Sequence, residues 1–171
     1  MRPIYLDHAT TTPLDPRVRE AMLPFLGEKF GSASSLHRRG MEARDGIGRA
    51  RGAVARLLGA EPEEILFTAS ATEANNLALK GTALASRPGG RILVAATEHI
   101  SVLHPVRSLE REGFDVAIVP VDAAGLVDRA WLESELARGA LLLTVAQGSA
   151  EIGTLQPVAE LSELARSHGV P

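Results

Sequence analysis

Arg91-Ile92-Leu93-Val94-Ala95, followed at once by Ala96-Thr97-Glu98-His99, is the stretch whose reading decides the fold. It is short, apolar and free of polar alternation, as a strand buried on both faces is. The residues after it, 99–112, read as a helix. A strand that runs straight into a helix is the unit of a parallel sheet, because parallel neighbours need a crossover between them.

Working outward, Ile65-Leu66-Phe67, Val116-Ala117-Ile118-Val119 and Leu141-Leu142-Leu143-Thr144-Val145 are runs of the same kind, bounded by Gly, Pro or charge. Helical stretches fall near residues 15–27, 38–58, 72–86 and 128–137, and from about Val158 to Ser167. This alternation predicts an α/β fold: three layers, a mostly parallel sheet and helices on both faces. Asp15-Pro16 resembles an N-cap with proline at the first helical position. Gly59, and Gly113 after Glu110-Arg111-Glu112, fit helix ends. Pro88-Gly89-Gly90 is a predicted turn. Residues 1–14 carry few signals beyond Ile4-Tyr5-Leu6 and are expected to form an extended arm. All 171 residues read as one domain.

Composition excludes several function classes. The chain is 45% hydrophobic with a net charge of −3 and no basic cluster, so neither nucleic acid nor an anionic membrane is an expected partner. No run approaches the roughly 18 apolar residues of a membrane span. The N-terminus lacks the apolar region of a signal peptide, and a cytoplasmic protein is expected. Cysteine is absent, which removes disulfides, thiolate metal sites and a cysteine nucleophile from these residues. Only two lysines occur, Lys29 and Lys80.

Two segments could carry chemistry. Phe67-Thr68-Ala69-Ser70-Ala71-Thr72-Glu73-Ala74-Asn75-Asn76 lies where a strand passes into a helix. Ligands of open parallel sheets gather beyond the carboxyl ends of strands, and a helix starting there offers unpaired N–H groups to an anion. Ser70, Ala71 and Thr72 are small, and two of them add hydroxyls. The plainer reading is a capping box of Ser70 with Glu73, and the two are compatible. His99 falls at the next such junction. Its imidazole could stack on a cofactor ring and shuttle a proton, or it could be an exposed or capping histidine. His104 and His168 read as structural. Asp7, His8, His37 and His99 do not make metal spacing, and no metal site is expected.

At these residues a family resemblance enters. Tyr5-Leu6-Asp7-His8-Ala9-Thr10-Thr11-Thr12-Pro13 resembles the N-terminal signature of cysteine desulfurases, of the class V aminotransferase group. Phe30-Gly31-Ser32-Ala33-Ser34-Ser35-Leu36-His37, with Gly40 and Ala43-Arg44, is similar to F-G-N-P-S-S-x-H…G…A-R. Phe67–Asn76 resembles F-T-S-G-A-T-E-A-N-N, and Thr97-Glu98-His99 resembles T-E-H. Glu151-Ile152-Gly153-Thr154-Leu155-Gln156-Pro157 resembles the end of N-N-E-I-G-T-x-Q-P. The motifs keep the family's order over nearly the whole chain.

The resemblance implies the N-terminal part of the large domain of a fold-type I enzyme that uses pyridoxal 5'-phosphate (PLP). Ser70, Ala71 and Thr72 would meet the cofactor phosphate. His99 would be catalytic, stacking on the pyridine ring and joining in proton transfer. Members abstract sulfur from cysteine, leaving alanine and a persulfide for iron–sulfur clusters or thiolated tRNA. The departures are Ser70 for glycine, Ser32-Ala33 for N-P, and Ser149 and Ala150 for the two asparagines. One of those asparagines bonds the cofactor ring hydroxyl, which Ala150 cannot do. The family continues into an aspartate for the pyridine nitrogen, the Schiff-base lysine, a small domain and the persulfide cysteine, none of which lies within these residues. Lys29 and Lys80 lack the family's S-x-H-K context. The chain is therefore expected to be inactive alone and to need a complementary C-terminal half, or a homo- or hetero-dimer with a desulfurase-like chain. The alternative is a catalytically inactive paralogue acting as scaffold or regulator.

Overall fold

A computed structural model describes residues 3–86 and 89–171. Met1 and Arg2, at the head of the segment read for a signal peptide, and Pro88 of the predicted turn lie outside the described residues. The chain divides into two compact units, Met1–Phe67 and Thr68–Pro171.

The second unit contains the sheet. Strands β1 (Arg91–Ala95), β2 (Asp115–Val119) and β3 (Leu142–Thr144) lie in the order β2-β1-β3, all parallel. Leu93 stands opposite Ala117 on one side and Leu143 on the other, so β1 is the central strand. Helices α3 (Ala71–Leu84), α4 (Ile100–Arg111), α5 (Arg129–Ala137) and α6 (Val158–Ser167) connect and cover it.

Side chains of a strand alternate between faces, and β1 uses both. Ile92 and Val94 pack with Leu79 and Ala83 of α3 and with Val102, Val106 and Leu109 of α4. Leu93 packs with Leu132 and Leu136 of α5 and with Leu161 and Leu164 of α6. The result is the expected three layers, helices on both faces of a parallel sheet. After α6 the chain returns beside β3, where Leu143 N–H donates to Pro171 O at 2.9 Å.

The amino ends of β1 and β2 are tied by charge. Arg91 donates to Asp115 at 2.6 Å and pairs with Glu135, which also accepts from Arg138 at 2.9 Å. The Asp115 carboxylate hydrogen-bonded to it holds the Arg91 guanidinium above its ordinary value.

The first unit is helical. It comprises α1 (Pro16–Met22), a 3-10 turn over Leu23–Leu26, α2 (Arg38–Leu58) and a 3-10 turn over Pro62–Glu64. Residues 3–14 hold no helix or strand. Three arginines of α2 secure loop carbonyls: Arg39 donates to Glu28 O, Arg44 to Ala33 O and Arg51 to Ile65 O. Gly59 ends α2 in the left-handed region at φ 66°, where a side chain is disfavoured. Gly40 is needed for a different reason. A Cβ there would stand 2.2 Å from Ser35 O. Leu26, Phe30, Leu36 and Leu58 remain exposed.

Asp15 caps α1 as predicted, accepting from Arg17 N–H at 2.8 Å. The Arg17 guanidinium, followed by that backbone N–H, holds its carboxyl below the usual range. A lowered folded-state pKa means the cap stabilises above the ordinary carboxylate range and is lost as pH falls through the lowered value. The Arg17 amide resonance, followed by NMR during acid titration, is therefore expected to move below the ordinary aspartate range. Movement at or above that range would contradict the capped geometry.

One expected strand is absent. Ile65-Leu66-Phe67 forms no ladder, and Ile65 O accepts instead from Arg51 at 3.1 Å. A strand exists only through a hydrogen-bonded neighbour, and among the described residues none pairs with this segment. The helix expected near 15–27 is shorter than read, because it tightens to a 3-10 turn after Met22.

Candidate functional site

Ser70 is the N-cap of α3, its Oγ accepting from Glu73 N–H at 3.2 Å. The Glu73 carboxylate does not return to Ser70 N–H, as a full capping box would, but accepts from Ala69 N–H at 2.7 Å. Ser70 has φ −160°, extended backbone open to any residue, so replacement of glycine here strains nothing. The first-turn amides of Ala71 and Thr72 have no acceptor among the described residues, as helix geometry requires. A hydroxyl that accepts one bond still has its own hydrogen to give, so Ser70 also remains a donor.

His99 is the N-cap of α4, and the ring does the capping: Nδ1 accepts from Ser101 N–H at 3.1 Å. His99 is also exposed. Thr72 and His99 line the same cleft, of ≈ 350 Å³, together with Asn76, Lys80, Ser101 and His104. Two helix starts are thus brought side by side by the packing of α3 on α4. Ser70 and Ala71 lie immediately before Thr72 at the same helix start. Lys80 sits inside α3, not at its end, and Lys29 lies over the Phe25 ring at 5.6 Å. His104 is within α4, whereas His168 is the residue that ends α6.

Two hydrogen bonds close to these residues had no signal in the sequence. Glu98 is 8% exposed and accepts from Thr144 Oγ1 at 2.7 Å, linking the carboxyl ends of β1 and β3. Asn75 donates to Ser101 Oγ at 2.9 Å, linking α3 to α4. The only sequence signal for Ser101 is its position two residues after a capping histidine, where its amide meets the cap.

The loops leaving β2 and β3 pack on each other. Buried Gln156 donates to Gly125 O at 2.6 Å and accepts from Val127 N–H at 3.1 Å. Thr154 Oγ1 donates to Ala124 O at 2.6 Å. Ser149 Oγ accepts from Glu151 and Ile152 N–H, while Ala150 has no side-chain polar atom to offer. Among the described residues, no group of three His, Cys, Asp or Glu side chains is placed to hold a metal. Among them, no helix is long and apolar enough to cross a membrane.

A sheet of parallel strands with a helix start and a histidine at its carboxyl edge defines a class, and comparison with known proteins gives it a family. Residues 4–171 match class-V aminotransferases, and the chain belongs to that family. Within it, the relatives are cysteine desulfurases. The chain is 44% identical over 170 residues to cysteine desulfurase IscS of Dictyoglomus turgidum, covering 99% of this chain and 43% of that protein. It is 44% identical over 161 residues to cysteine desulfurase IscS 1 of Archaeoglobus fulgidus, covering 94% and 42%. Among solved structures, a NifS-like protein superimposes with a TM-score of 0.90 at 36% identity, covering 96% of this chain and 46% of that one. The apo cysteine desulfurase of Thermococcus onnurineus NA1 gives 0.88 at 29% identity, covering 98% and 42%. The chain thus spans less than half the length of these relatives.

Proposed function

We propose that this chain supplies the phosphate cradle and the ring-facing histidine of a PLP-dependent cysteine desulfurase, and that further polypeptide supplies the lysine and the cysteine. The observation that carries this reading is that Thr72 and His99, from separate helix starts, line one cleft. The residues present fit the cofactor's anionic end. The Ala71 and Thr72 amides lack acceptors among the described residues, and the hydroxyls of Ser70 and Thr72 add donors. No backbone strain excludes Ser70 from this place.

In this reading Ser70, Ala71 and Thr72 would hold the phosphate and fix the register of the group against the sheet. His99 would give a flat imidazole to the ring. When bound, PLP supplies the electron sink for bond changes at the amino-acid substrate. Sulfur taken from cysteine would pass to iron–sulfur cluster assembly or to tRNA thiolation. The cytoplasm is the compartment in which we place this activity.

A second reading is favoured by one observation. Ala150 stands where the family has an asparagine, and the hydroxyl of neighbouring Ser149 is already engaged by two backbone amides. An inactive relative serving as scaffold or regulator would tolerate that loss.

Absorbance titration with PLP decides between them, on the purified chain and on the chain recovered with companions from its native lysate. The chain alone is expected to show no visible band that survives dialysis and disappears on borohydride reduction. The recovered complex is expected to show one. No such band in either sample would remove the enzyme reading and leave the scaffold.

A further inference from the structure

His99 is met by two hydrogen-bonding groups of Ser101, and a third group, on Asn75, orients one of them. Ser101 N–H donates to Nδ1 at 3.1 Å. A backbone amide can only donate, so Nδ1 must present its lone pair. Ser101 Oγ lies 2.8 Å from the same nitrogen. That oxygen accepts from Asn75 Nδ2–H at 2.9 Å, which leaves the single hydroxyl hydrogen free to point at Nδ1. With Nδ1 occupied by donors, the proton of the neutral ring resides on the other nitrogen. Among the described residues Nε2 has no hydrogen-bond partner.

We infer that Asn75 and Ser101 are positioning residues that lock the neutral His99 ring in its Nε2–H tautomer, so that His99 first meets a bound group in the cleft as a hydrogen-bond donor. The device spans two helices. Asn75 lies on α3, one turn beyond Thr72, while His99 and Ser101 open α4. Moving α3 against α4 would therefore alter both the cradle and the tautomer. The consequence for catalysis rests on the PLP reading of the cleft. A bound group meeting Nε2 finds a proton already there, and His99 accepts a proton at that atom only after Nδ1 releases the Ser101 amide. The arrangement orients and polarises a bound acceptor, and His99 meets it with the proton already on Nε2.

The test is a long-range proton–nitrogen correlation spectrum of the nitrogen-15-labelled chain, recorded well above the ordinary histidine titration range. There are five histidines, and His99→Gln identifies the ring in question. Wild-type His99 is expected to show the Nε2–H pattern. Ser101→Ala and Asn75→Ala keep the Ser101 amide at Nδ1 but remove or release the hydroxyl donor, so they are expected to raise the Nδ1–H share several-fold without making it the major form, and Ser101→Thr, which keeps both donors, to restore the wild-type pattern. A wild-type Nδ1–H pattern would overturn the inference outright, even where a variant fails to fold. Unchanged tautomers in both alanine variants, folded by circular dichroism, would overturn the role of the Asn75 and Ser101 side chains. The readout involves no cofactor. A locked tautomer in a chain whose recovered complexes hold no PLP would keep the device and discard the cofactor reading. A free tautomer in a PLP-binding complex would do the opposite.

Discussion

Leu93→Ala is expected to lower the unfolding free energy of the Thr68–Pro171 unit by about 2–5 kcal/mol. Leu93 lies at the middle of β1, the strand with neighbours on both sides, and is 0% exposed. It packs in one cluster with Leu132 and Leu136 of α5 and Leu161 of α6. Truncation removes three carbons from water-free surroundings and leaves a cavity that three rigid elements cannot close. Domains are stable by only about 5–15 kcal/mol, so the loss is a large share of the total. Urea unfolding followed by circular dichroism reads it as a lower midpoint at unchanged slope. Ile118→Ala on the edge strand β2, where the side chain is 49% exposed, serves as control and is expected to cost about 0.5–1 kcal/mol. Equal losses in the two variants would mean that β1 is not the centre of the core.

Gln156→Leu is the second large effect. Gln156 is 6% exposed and is the clasp between the loops that follow β2 and β3. Its amide satisfies Gly125 O and Val127 N–H at once. Leucine of similar size would leave both groups without partners, at about 1–3 kcal/mol each. Gln156→Glu keeps an acceptor for Val127 N–H but loses the donor to Gly125 O, so it separates the two contributions in part. Amide exchange at Val127 is the local check and is expected to accelerate strongly in Gln156→Leu. Protection unchanged from wild type would show that the loops hold together without the clasp. The clasp matters for the proposed site because the loop it secures carries Ser149 and Ala150.

Most of the helices and three of the strands were readable in advance, for reasons that are local. The cap at Asp15 with Pro16, the stop at Gly59 and the start at Ser70 each depend on groups within about one helical turn. The α2 range Arg38–Leu58 and the β1 range Arg91–Ala95 match their sequence readings. Ile65–Phe67 failed because strand pairing is non-local. Its apolar pattern states a preference, and a ladder partner must fulfil it. The site divided in the same way. His99 was visible at a strand-to-helix junction, and Ser70, Ala71 and Thr72 at a helix start whose preceding segment forms no strand among the described residues. Glu98–Thr144 and Asn75–Ser101 were not, since their partners lie 46 and 26 residues apart.

The amino-acid sequence by itself determined the family, the alternation of strands and helices, and the helix starts at Ser70 and His99. These follow from side-chain chemistry acting over a few residues. Only the tertiary structure decided that β1 is central, that Thr72 and His99 share a cleft, and that Asn75 meets Ser101 beside the His99 ring. Each of these depends on which elements pack together, and packing sums weak contacts between residues far apart in the chain, a sum that no short window of sequence contains.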